Sequence, residues 1–264
     1  MSVFDFNRAI VRQPCPKVVE GLRIGERANP SFAGISELHR QYVRALEQAG
    51  LSVTMLPPLP ELPDSMFVED PALVFHDAAI LLKPGAPSRQ AEVAALIPTL
   101  RKEFSRLLSL SAGSVDGGDV LVTPGKIFIG LSQRTNEQGA KALVDVLAEI
   151  GRAGVVVRPP SGTLHLKSAS TLIDDETVLT TAALAACDIF EGFRVVTVPT
   201  DEEHAANALR LNDTVLVAAN CPATLDLLAR FDLNIVPLDI SEIERIDGGL
   251  TCMSLRWFAS ARGD

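Results

Sequence analysis

The sequence lacks the features that mark membrane proteins, nucleic-acid-binding proteins and disulfide-rich proteins. No apolar run approaches the roughly 18 residues of a membrane-spanning helix, and the first residues show no long apolar core, so no signal peptide is predicted. There is no lysine- or arginine-rich run, and one tryptophan and one tyrosine offer few stacking rings. Neither a membrane nor a nucleic acid is therefore a predicted partner. No cysteine pair has C-x-x-C spacing, which excludes the common zinc and dithiol motifs.

The composition that remains is ordinary for a globular protein. The 264 residues are 47% hydrophobic and 22% charged, enough for one large domain or two small ones. Because the cysteines are few and widely spaced, a reducing compartment is expected, and we predict a cytoplasmic protein. The formal net charge of −9 is mildly favourable to a cationic small molecule.

One unit recurs along the chain: a short strand, a polar segment, a hairpin and a helix. The short strands are predicted to begin at Leu51, Leu107, Val155, Arg194 and Asn234. Hairpins with turn-forming residues follow at 72–82, 119–130, 171–180 and 207–218. Helices are predicted over 88–104, 135–150 and 222–231, with a short one in the alanine-rich region after Thr180. Thr135 and Gln138 have the spacing of a capping box for the second of these helices.

The fifth unit is divided between the two ends of the chain. Residues 253–259 are predicted to pair with residues 4–11 as its hairpin, and residues 35–49 to form its helix. Such pairing closes a ring and removes exposed sheet edges, and no polar linker divides the chain. We therefore predict one α/β domain over residues 1–264, a pseudosymmetric five-bladed α/β propeller closed by its N- and C-terminal strands.

Polar side chains lie in every segment between a short strand and its hairpin. In a closed ring these segments face the same mouth, so residues distant in sequence would meet there. A cysteine, a histidine and a carboxylate form a nucleophilic set, and surplus carboxylates suit a guanidinium group. Taken unit by unit, the residues are Asp64, Glu69 and Asp70; Asp116 and Asp119; His165 and Lys167; His204 and Asn207; Asp247 and Cys252.

Each of these residues also has an ordinary structural interpretation. Cys252 follows Gly248-Gly249 and opens a strand-like stretch, which suits a held nucleophile or a buried structural cysteine. The acidic residues suit turns or a solvated surface as well as a binding site. His165 lies in an alternating stretch where its ring could contact a core carbonyl. The local sequence leaves these alternatives open.

Five motifs, in this order, resemble the dimethylarginine dimethylaminohydrolase family of the guanidine-modifying amidinotransferase and deiminase superfamily. They are Phe67-Val-Glu-Asp-Pro-Ala-Leu, Asp116-Gly-Gly-Asp-Val, Ser132-Gln-Arg-Thr-Asn, Leu164-His-Leu-Lys-Ser and Ile246-Asp-Gly-Gly-Leu-Thr-Cys-Met-Ser-Leu-Arg. The resemblance runs along essentially the whole chain. It implies the five-bladed α/β propeller fold, a small cationic guanidino amino acid as substrate, and no metal or other cofactor.

The resemblance also implies residue roles. Cys252 would be the nucleophile, His165 the general acid and base, and Asp116, where some members have glutamate, the residue that orients His165. His204 is not a catalytic position of the family. The implied substrate-binding residues are Asp64 and Asp70 at the guanidinium with Glu69 beside them, Arg89 and Arg134 at the α-carboxylate, Leu22 in the entrance loop, and the backbone near Leu164 and Ile246.

The predicted reaction converts Nω,Nω-dimethyl-L-arginine or monomethyl-L-arginine to L-citrulline and the corresponding methylamine, through a covalent thiouronium intermediate on cysteine. The nearest alternative is an arginine deiminase, or a hydrolase of another guanidino compound, on the same scaffold. A non-catalytic propeller that binds a partner is less favoured, because the cysteine, histidine and aspartate occur together. A homodimer is compatible with the sequence.

Overall fold

Fifteen strands form five separate three-stranded sheets in the computed structural model, which describes residues 2–260. The strands are β1 (Arg8–Arg12), β2 (Ser52–Leu56), β3 (Ala72–Val74), β4 (Ala79–Leu81), β5 (Leu107–Ser109), β6 (Val120–Val122), β7 (Ile127–Gly130), β8 (Gly154–Val157), β9 (Ser170–Asp174), β10 (Thr177–Thr180), β11 (Arg194–Thr197), β12 (Leu209–Leu211), β13 (Thr214–Ala218), β14 (Asn234–Leu238) and β15 (Leu255–Trp257). The sheet orders are β15-β1-β2, β3-β4-β5, β6-β7-β8, β9-β10-β11 and β12-β13-β14. In every sheet the middle strand pairs antiparallel with the first and parallel with the third.

A helix joins the second and third strand of every sheet, because a parallel pair requires a crossover connection. These helices are α1 (Phe32–Gln48), α2 (Gln90–Glu103), α3 (Glu137–Glu149), α4 (Ala182–Ala185) and α5 (Pro222–Leu228), and α6 (Ser241–Glu244) precedes the last polar segment. The repeated unit predicted from the sequence is confirmed, with α4 reduced to a single turn. No helix among residues 2–260 is long and apolar enough to cross a membrane.

The polar segments are compact rather than extended. Four of them contain a short 3-10 helix, at Pro63–Met66, Gly117–Asp119, Leu166–Ser168 and Thr200–Ala206. Two more 3-10 helices, Pro16–Glu20 and Pro87–Arg89, precede α1 and α2. In three of the polar segments, the turns Gly117–Asp119, Leu166–Ser168 and Thr200–Ala206 are separated from the following hairpin by at most two residues, so the hairpin fixes their position.

The middle strands are buried, whereas the third strands lie at the surface. All residues of β7, β10 and β13 are buried. By contrast, Val155 and Val156 in β8 and Val195 in β11 are about two-fifths exposed. The hairpin of each sheet therefore supplies the core, and the polar segment that leads into it starts from the interior.

Strands from the two ends of the chain complete one sheet. β1 pairs antiparallel with β15, with Arg8 opposite Trp257 and Ile10 opposite Leu255. The side chain of Asn7 extends the pairing, since its amide nitrogen donates to the Ala259 carbonyl at 2.9 Å and its oxygen accepts from the Ala259 N–H at 2.8 Å. The predicted pairing of residues 4–11 with 253–259 is confirmed, over a shorter stretch.

The capping residue of α3 differs from the prediction. Asn136, not Thr135, accepts from the N–H of Gly139 at 2.8 Å, so the predicted capping box of Thr135 and Gln138 is wrong. The Thr135 hydroxyl instead donates to Asp119 at 2.7 Å and accepts from the N–H of Asp116 at 3.1 Å. The buried carboxylate of Asp119 thus takes the hydroxyl that would have capped the helix. Helix α3 begins at Glu137, two residues after the predicted start.

Helix α1 buries a histidine whose charged form is disfavoured. His39 is 3% exposed and its Nε2 has no hydrogen-bond partner among the described residues. Burial lowers the pKa of His39 to about 4, below its ordinary value of 6.5. Because the unfolded chain binds the proton more readily, the contribution of neutral His39 to stability is complete above pH 6.5 and is lost as the pH falls towards 4.

We expect His39→Leu to reduce the acid sensitivity of folding. In the unsubstituted protein, protonation of His39 should lower the free energy of unfolding by about 2 kcal/mol between pH 7.5 and pH 5, and the variant should lose that much less. Urea unfolding at the two pH values measures the difference. His76→Leu is the control, since the His76 side chain is 47% exposed. Equal acid losses in the protein and in His39→Leu would contradict the assignment.

Candidate active site

A narrow cavity of about 40 Å³ lies where the polar segments meet. Ten of the eleven site residues predicted from the sequence line it. They are Leu22, Asp64, Asp70, Arg89, Asp116, Arg134, Leu164, His165, Ile246 and Cys252; Phe67, Asp247 and Gly248 complete the lining. The eleventh predicted residue, Glu69, does not line this cavity.

His165 and Asp116 form a hydrogen-bonded pair at the cavity. The Nε2 atom of His165 lies 3.3 Å from Asp116 Oδ2, so aspartate reaches the histidine in this chain. The other oxygen, Oδ1, accepts from the N–H of Gly85 at 2.7 Å. Burial disfavours the imidazolium, but the bond to Asp116 and the nearby charges of Asp70 and Asp119 outweigh it and raise the pKa of His165 to about 9. His165 is therefore cationic at neutral pH in the empty site.

A glycine makes room for the His165 ring. A Cβ atom at Gly118 would lie 2.6 Å from Nδ1 of His165, closer than any side chain permits. The N–H of Gly118 donates to Asp70 Oδ1 at 2.9 Å. The Gly117-Gly118 pair therefore brings the backbone of one segment against the imidazole and a carboxylate at the same time.

Asp119 is a buried carboxylate that sequence reasoning noted but did not include in the site. Its Oδ1 accepts from the N–H of Leu166 at 3.0 Å, and its Oδ2 accepts from the hydroxyls of Ser132 at 2.6 Å and Thr135 at 2.7 Å. Complete burial raises the pKa of Asp119 above its ordinary range, against the opposing charge of His165. Asp119 thus joins the segments of His165 and Arg134. In the sequence, the position of Asp119 directly after Gly117-Gly118 was the feature that could have placed it in the site.

Cys252 lies in a turn three residues before β15, not at the start of a strand as expected. Its N–H donates to the Gly249 carbonyl at 3.2 Å, and its carbonyl accepts from the N–H of Glu69 at 3.2 Å. Burial, with the negative charges of Glu69 and Asp70, raises the pKa of the Cys252 thiol to about 12. At neutral pH this cysteine is therefore a thiol rather than a thiolate.

Three carboxylates surround the guanidinium of Arg89 beside the cavity. Arg89 pairs with Asp70, and its Nη2 lies 2.8 Å from Glu92 Oε2 and donates to the Phe67 carbonyl at 2.8 Å. Burial raises the pKa of Glu92 to about 7 despite Arg89, and it raises the pKa of Asp64. The pKa of Asp70 is lowered, because Arg89 and His165 outweigh the effect of burial. Glu92 was not identified from the sequence, since nothing distinguishes it from a surface residue of a helix.

The two arginines predicted at the substrate carboxylate differ in their pairing. All three nitrogens of the Arg89 guanidinium donate to protein oxygens, from Asp70, Glu92, Phe67 and Asp64. Arg134 is half-buried at the cavity, and its guanidinium has no hydrogen bond or ion pair with any of residues 2–260. Arg134 is thus the cation with donors available to a ligand.

Glu69 faces away from the cavity, which differs from its predicted place beside the guanidinium. Its Oε1 lies 2.6 Å from Lys167 Nζ and 3.2 Å from Arg256 Nη2. Its Oε2 accepts from the Thr251 hydroxyl at 3.0 Å. Adjacent residues of one turn point in different directions, so Asp70 lines the cavity and Glu69 forms ion pairs behind the Cys252 segment.

Carboxylates hold the entrance segment that contains Leu22. Asp64 Oδ1 accepts from the N–H of Leu22 at 2.9 Å, and Asp247 Oδ2 accepts from the N–H of Ile24 at 2.5 Å. Asp247 has φ +55° and also pairs with Arg27 at 3.1 Å. Ile24 remains 54% exposed. Asp64 and Asp247 therefore close the cavity from the side of residues 22–27.

His204 does not join His165 in the narrow cavity. It lines a wider adjoining cavity of about 460 Å³, which shares Cys252 and His165 with the narrow one. Its Nε2 lies 3.0 Å from the sulfur of the buried Cys221 and 3.7 Å from Glu244 Oε1. His204 and His165 occupy similar positions in their units, but only His165 lines the narrow cavity.

One group of side chains among residues 2–260 has the donor set for a metal ion. Ligand atoms of Asp70, Asp116 and His165 all lie within 4.8 Å of one another. These atoms are already engaged, Asp70 with Arg89 and Gly118, and Asp116 with His165 and Gly85. A metal ion would have to replace these interactions.

Comparisons with known proteins identify the family. A family model described as arginine deiminase matches residues 36–197. The chain is 34% identical to the dimethylarginine dimethylaminohydrolase of Pseudomonas aeruginosa, over 96% of this chain and 100% of that protein. It is 37% identical to the dimethylarginine dimethylaminohydrolase of Streptomyces coelicolor, over 94% of this chain and 96% of that protein.

A solved structure agrees with the sequence matches. The P. aeruginosa enzyme, as a cysteine-to-serine variant complexed with citrulline, has a TM-score of 0.93 to this structure at 34% identity, covering 96% of this chain and 100% of that chain. The chain belongs to the dimethylarginine dimethylaminohydrolase family, within the wider group that the arginine deiminase model describes. The family predicted from the five motifs is confirmed.

We expect Asp116→Asn to lower the pKa of His165. The amide oxygen can still accept from Gly85, but the negative charge beside the imidazole is lost, so the pKa should fall from about 9 by roughly one to three pH units. NMR titration of the four histidines measures the change. Asp77→Asn, at a carboxylate paired with Arg152, is the matched control. An unchanged His165 pKa in Asp116→Asn would show that Asp116 does not govern its charge.

Proposed function

We propose that this protein hydrolyses Nω,Nω-dimethyl-L-arginine or monomethyl-L-arginine to L-citrulline and dimethylamine or methylamine. The observation that carries the proposal is the convergence of Cys252, the His165–Asp116 pair and the carboxylates Asp64 and Asp70 at one cavity. Membership of the dimethylarginine dimethylaminohydrolase family supports it. So does the citrulline in the structure of the P. aeruginosa relative, because citrulline is the proposed product.

The substrate guanidinium lies against Asp64 and Asp70. Both carboxylates are at most 5% exposed, and each has accepting positions beyond its bonds to the protein, so a cation with several N–H donors can form charge-assisted hydrogen bonds with them. Arg134 binds the α-carboxylate with its unpaired guanidinium, and Arg89 adds its positive charge from behind Asp70. Leu22 and the backbone at Leu164 and Ile246 enclose the rest of the substrate.

Substrate binding activates the nucleophile. The thiol of Cys252 is kept neutral by burial and by nearby carboxylates, so a guanidinium that neutralises those carboxylates lowers the thiol pKa. The thiol proton passes to solvent, and the thiolate attacks the central guanidino carbon. His165, cationic in the empty site, donates its proton to the departing amine, and a covalent S-alkylthiouronium intermediate remains.

Hydrolysis of the intermediate regenerates the site. The now neutral His165 removes a proton from a water molecule, which attacks the same carbon. The carbon–sulfur bond breaks and the cysteine leaves as a thiolate. The protonated product gives its proton to this thiolate, which restores the thiol, and neutral citrulline is released. Asp116 holds the imidazole in one orientation through both steps, since its second oxygen is fixed by the Gly85 N–H. No step uses a metal ion.

The arrangement of the units is part of the proposal. The five sheets form one closed five-bladed α/β propeller over a single domain, and the pairing of β1 with β15 supports this closure. The convergence of polar segments from the separate units on one cavity supports it further. A cytoplasmic location and a homodimer stay predictions of the sequence.

The alternative is an arginine deiminase, which releases ammonia. This alternative is supported by the family model that matches residues 36–197, because that model is described as arginine deiminase. A binding protein without activity is the less favoured alternative, because Cys252, His165 and Asp116 are all positioned at the cavity. The three functions differ in the products that appear from a given substrate.

We expect purified protein to release citrulline and dimethylamine from asymmetric dimethylarginine, and nothing measurable from arginine. Colorimetric detection of citrulline, with chromatographic identification of the amine, makes the distinction. Citrulline and ammonia from arginine would instead support the deiminase. Absence of citrulline with every guanidino substrate tested would favour the binding protein.

We expect Cys252→Ser to abolish turnover while folding is preserved. Removal of a catalytic nucleophile lowers kcat by at least about 10³-fold. Cys221→Ser is a matched control, because Cys221 also contacts a histidine, His204, at 3.0 Å but does not line the narrow cavity. Activity within a few fold of the unsubstituted protein in Cys252→Ser, or equal losses in the two variants, would refute Cys252 as the nucleophile.

A further inference from the structure

Asn207 lies between the two segments that bear the nucleophile and the histidine. It follows the 3-10 helix Thr200–Ala206 in the fourth unit, and no residue of 199–208 lines the narrow cavity. The fourth unit thus supplies no side chain to the narrow cavity, although His204 and Asn207 line the wider cavity beside it. Asn207 is 6% exposed.

The carboxamide of Asn207 uses its nitrogen and its oxygen to bridge these two segments. Its Nδ2 donates to the Lys167 carbonyl at 2.8 Å and to the Thr251 hydroxyl at 3.2 Å. Its Oδ1 accepts from the N–H of Thr251 at 3.0 Å. Thr251 immediately precedes Cys252, and Lys167 is two residues after His165. One planar group therefore binds the backbone of the His165 segment, at Lys167, and the backbone of the Cys252 segment, at Thr251.

The surroundings of Asn207 leave this bridge little freedom. A Cβ atom at Gly249 would lie 2.6 Å from Asn207 Cγ, so the turn before Cys252 packs directly on the carboxamide. The Thr251 hydroxyl donates onward to Glu69 Oε2 at 3.0 Å, and Glu69 Oε1 pairs with Lys167 Nζ at 2.6 Å. Asn207, Thr251, Glu69 and Lys167 thus form a closed polar network behind the nucleophile.

We propose that Asn207 is a positioning residue that sets the distance between Cys252 and His165. The inference rests on the proposed function, in which Cys252 and His165 act on groups attached to the same guanidino carbon. Displacement of a reacting group by about 1 Å can cost on the order of 10²-fold in rate. Only an amide offers two donors and an acceptor on one rigid plane here, since aspartate lacks the donors and leucine lacks all three.

The decisive comparison is Asn207→Leu against Thr171→Val. Thr171 is buried and its hydroxyl donates to the Ala208 carbonyl at 2.8 Å, so Thr171→Val also removes a buried side-chain bond next to Asn207. That bond does not reach the Cys252 segment. We expect kcat with asymmetric dimethylarginine to fall by about 10²-fold in Asn207→Leu, with KM within threefold. Thr171→Val should keep kcat within about twofold.

A second readout is independent of turnover. The rate at which chloroacetamide alkylates Cys252, followed by peptide mass spectrometry, should rise at least about fivefold in Asn207→Leu, because the turn around the thiol is released, and should stay unchanged in Thr171→Val. The pH dependence of kcat should keep its shape in both variants, since the bond between His165 and Asp116 remains.

The outcomes separate this inference from the proposed function. If the unsubstituted protein produces no citrulline, the proposed function fails, and the alkylation rates still report whether Asn207 positions the thiol. If Asn207→Leu matches Thr171→Val in both kcat and alkylation rate, the positioning role is refuted. Should Asn207→Leu prove insoluble, Asn207→Ser is judged by the same criteria, because its short hydroxyl cannot span from Lys167 to Thr251.

Discussion

The structure depends on the concentration of negative charge in its interior. Asp64, Glu69, Asp70, Glu92, Asp116 and Asp119 are each at most 5% exposed. A buried carboxylate is stable only when it finds cations or hydrogen-bond donors, and here the donors come from other segments of the chain. Arg89, His165, Lys167 and Arg256 are the cationic partners. The interactions that make these charges tolerable are therefore the same interactions that hold the polar segments together.

This charge also contributes to the state of the proposed nucleophile. Burial, together with the nearby carboxylates, keeps the Cys252 thiol protonated, whereas the carboxylates keep His165 cationic despite its burial. Such a thiol reacts poorly with oxidants and alkylating agents, because the thiolate is the reactive form. The positive charge of a guanidinium offsets the carboxylates and so lowers the pKa of the thiol. Selectivity for cationic substrates and protection of the thiol between turnovers thus have one physical origin.

Much of the fold and most of the site followed from the sequence. The alternation of short aliphatic strands and turn-rich hairpins revealed the repeat. Among the cavity-lining residues, the polar segments contained Asp64, Asp70, Asp116, His165, Asp247 and Cys252. The resemblance to the family added Leu22, Arg89, Arg134, Leu164 and Ile246. The direction of a side chain within a tight turn was not predictable, so Glu69 was expected beside Asp70 although it points to Lys167.

The sequence did not predict the role of a side chain when that role depends on partners distant along the chain. The pairing of Arg89 with Glu92 and Asp70, the use of Thr135 by Asp119, and the burial of Asn207 against the Cys252 turn arise only in the folded chain. Glycine pairs and prolines indicate turns from the local sequence alone. A buried network in which every polar group has a hydrogen-bond partner can be recognised only once the segments are assembled.

The pairing of β1 with β15 has a consequence for how the protein is made. During synthesis, β1 emerges from the ribosome long before its antiparallel partner, and the segment with Cys252 emerges just ahead of β15. The other four sheets can each form from neighbouring residues, but this one requires a contact across nearly the whole chain, which is slow to form. The residues of the acidic cavity wall are therefore synthesised well before Cys252, the proposed nucleophile, and the sheet beside Cys252 is completed last.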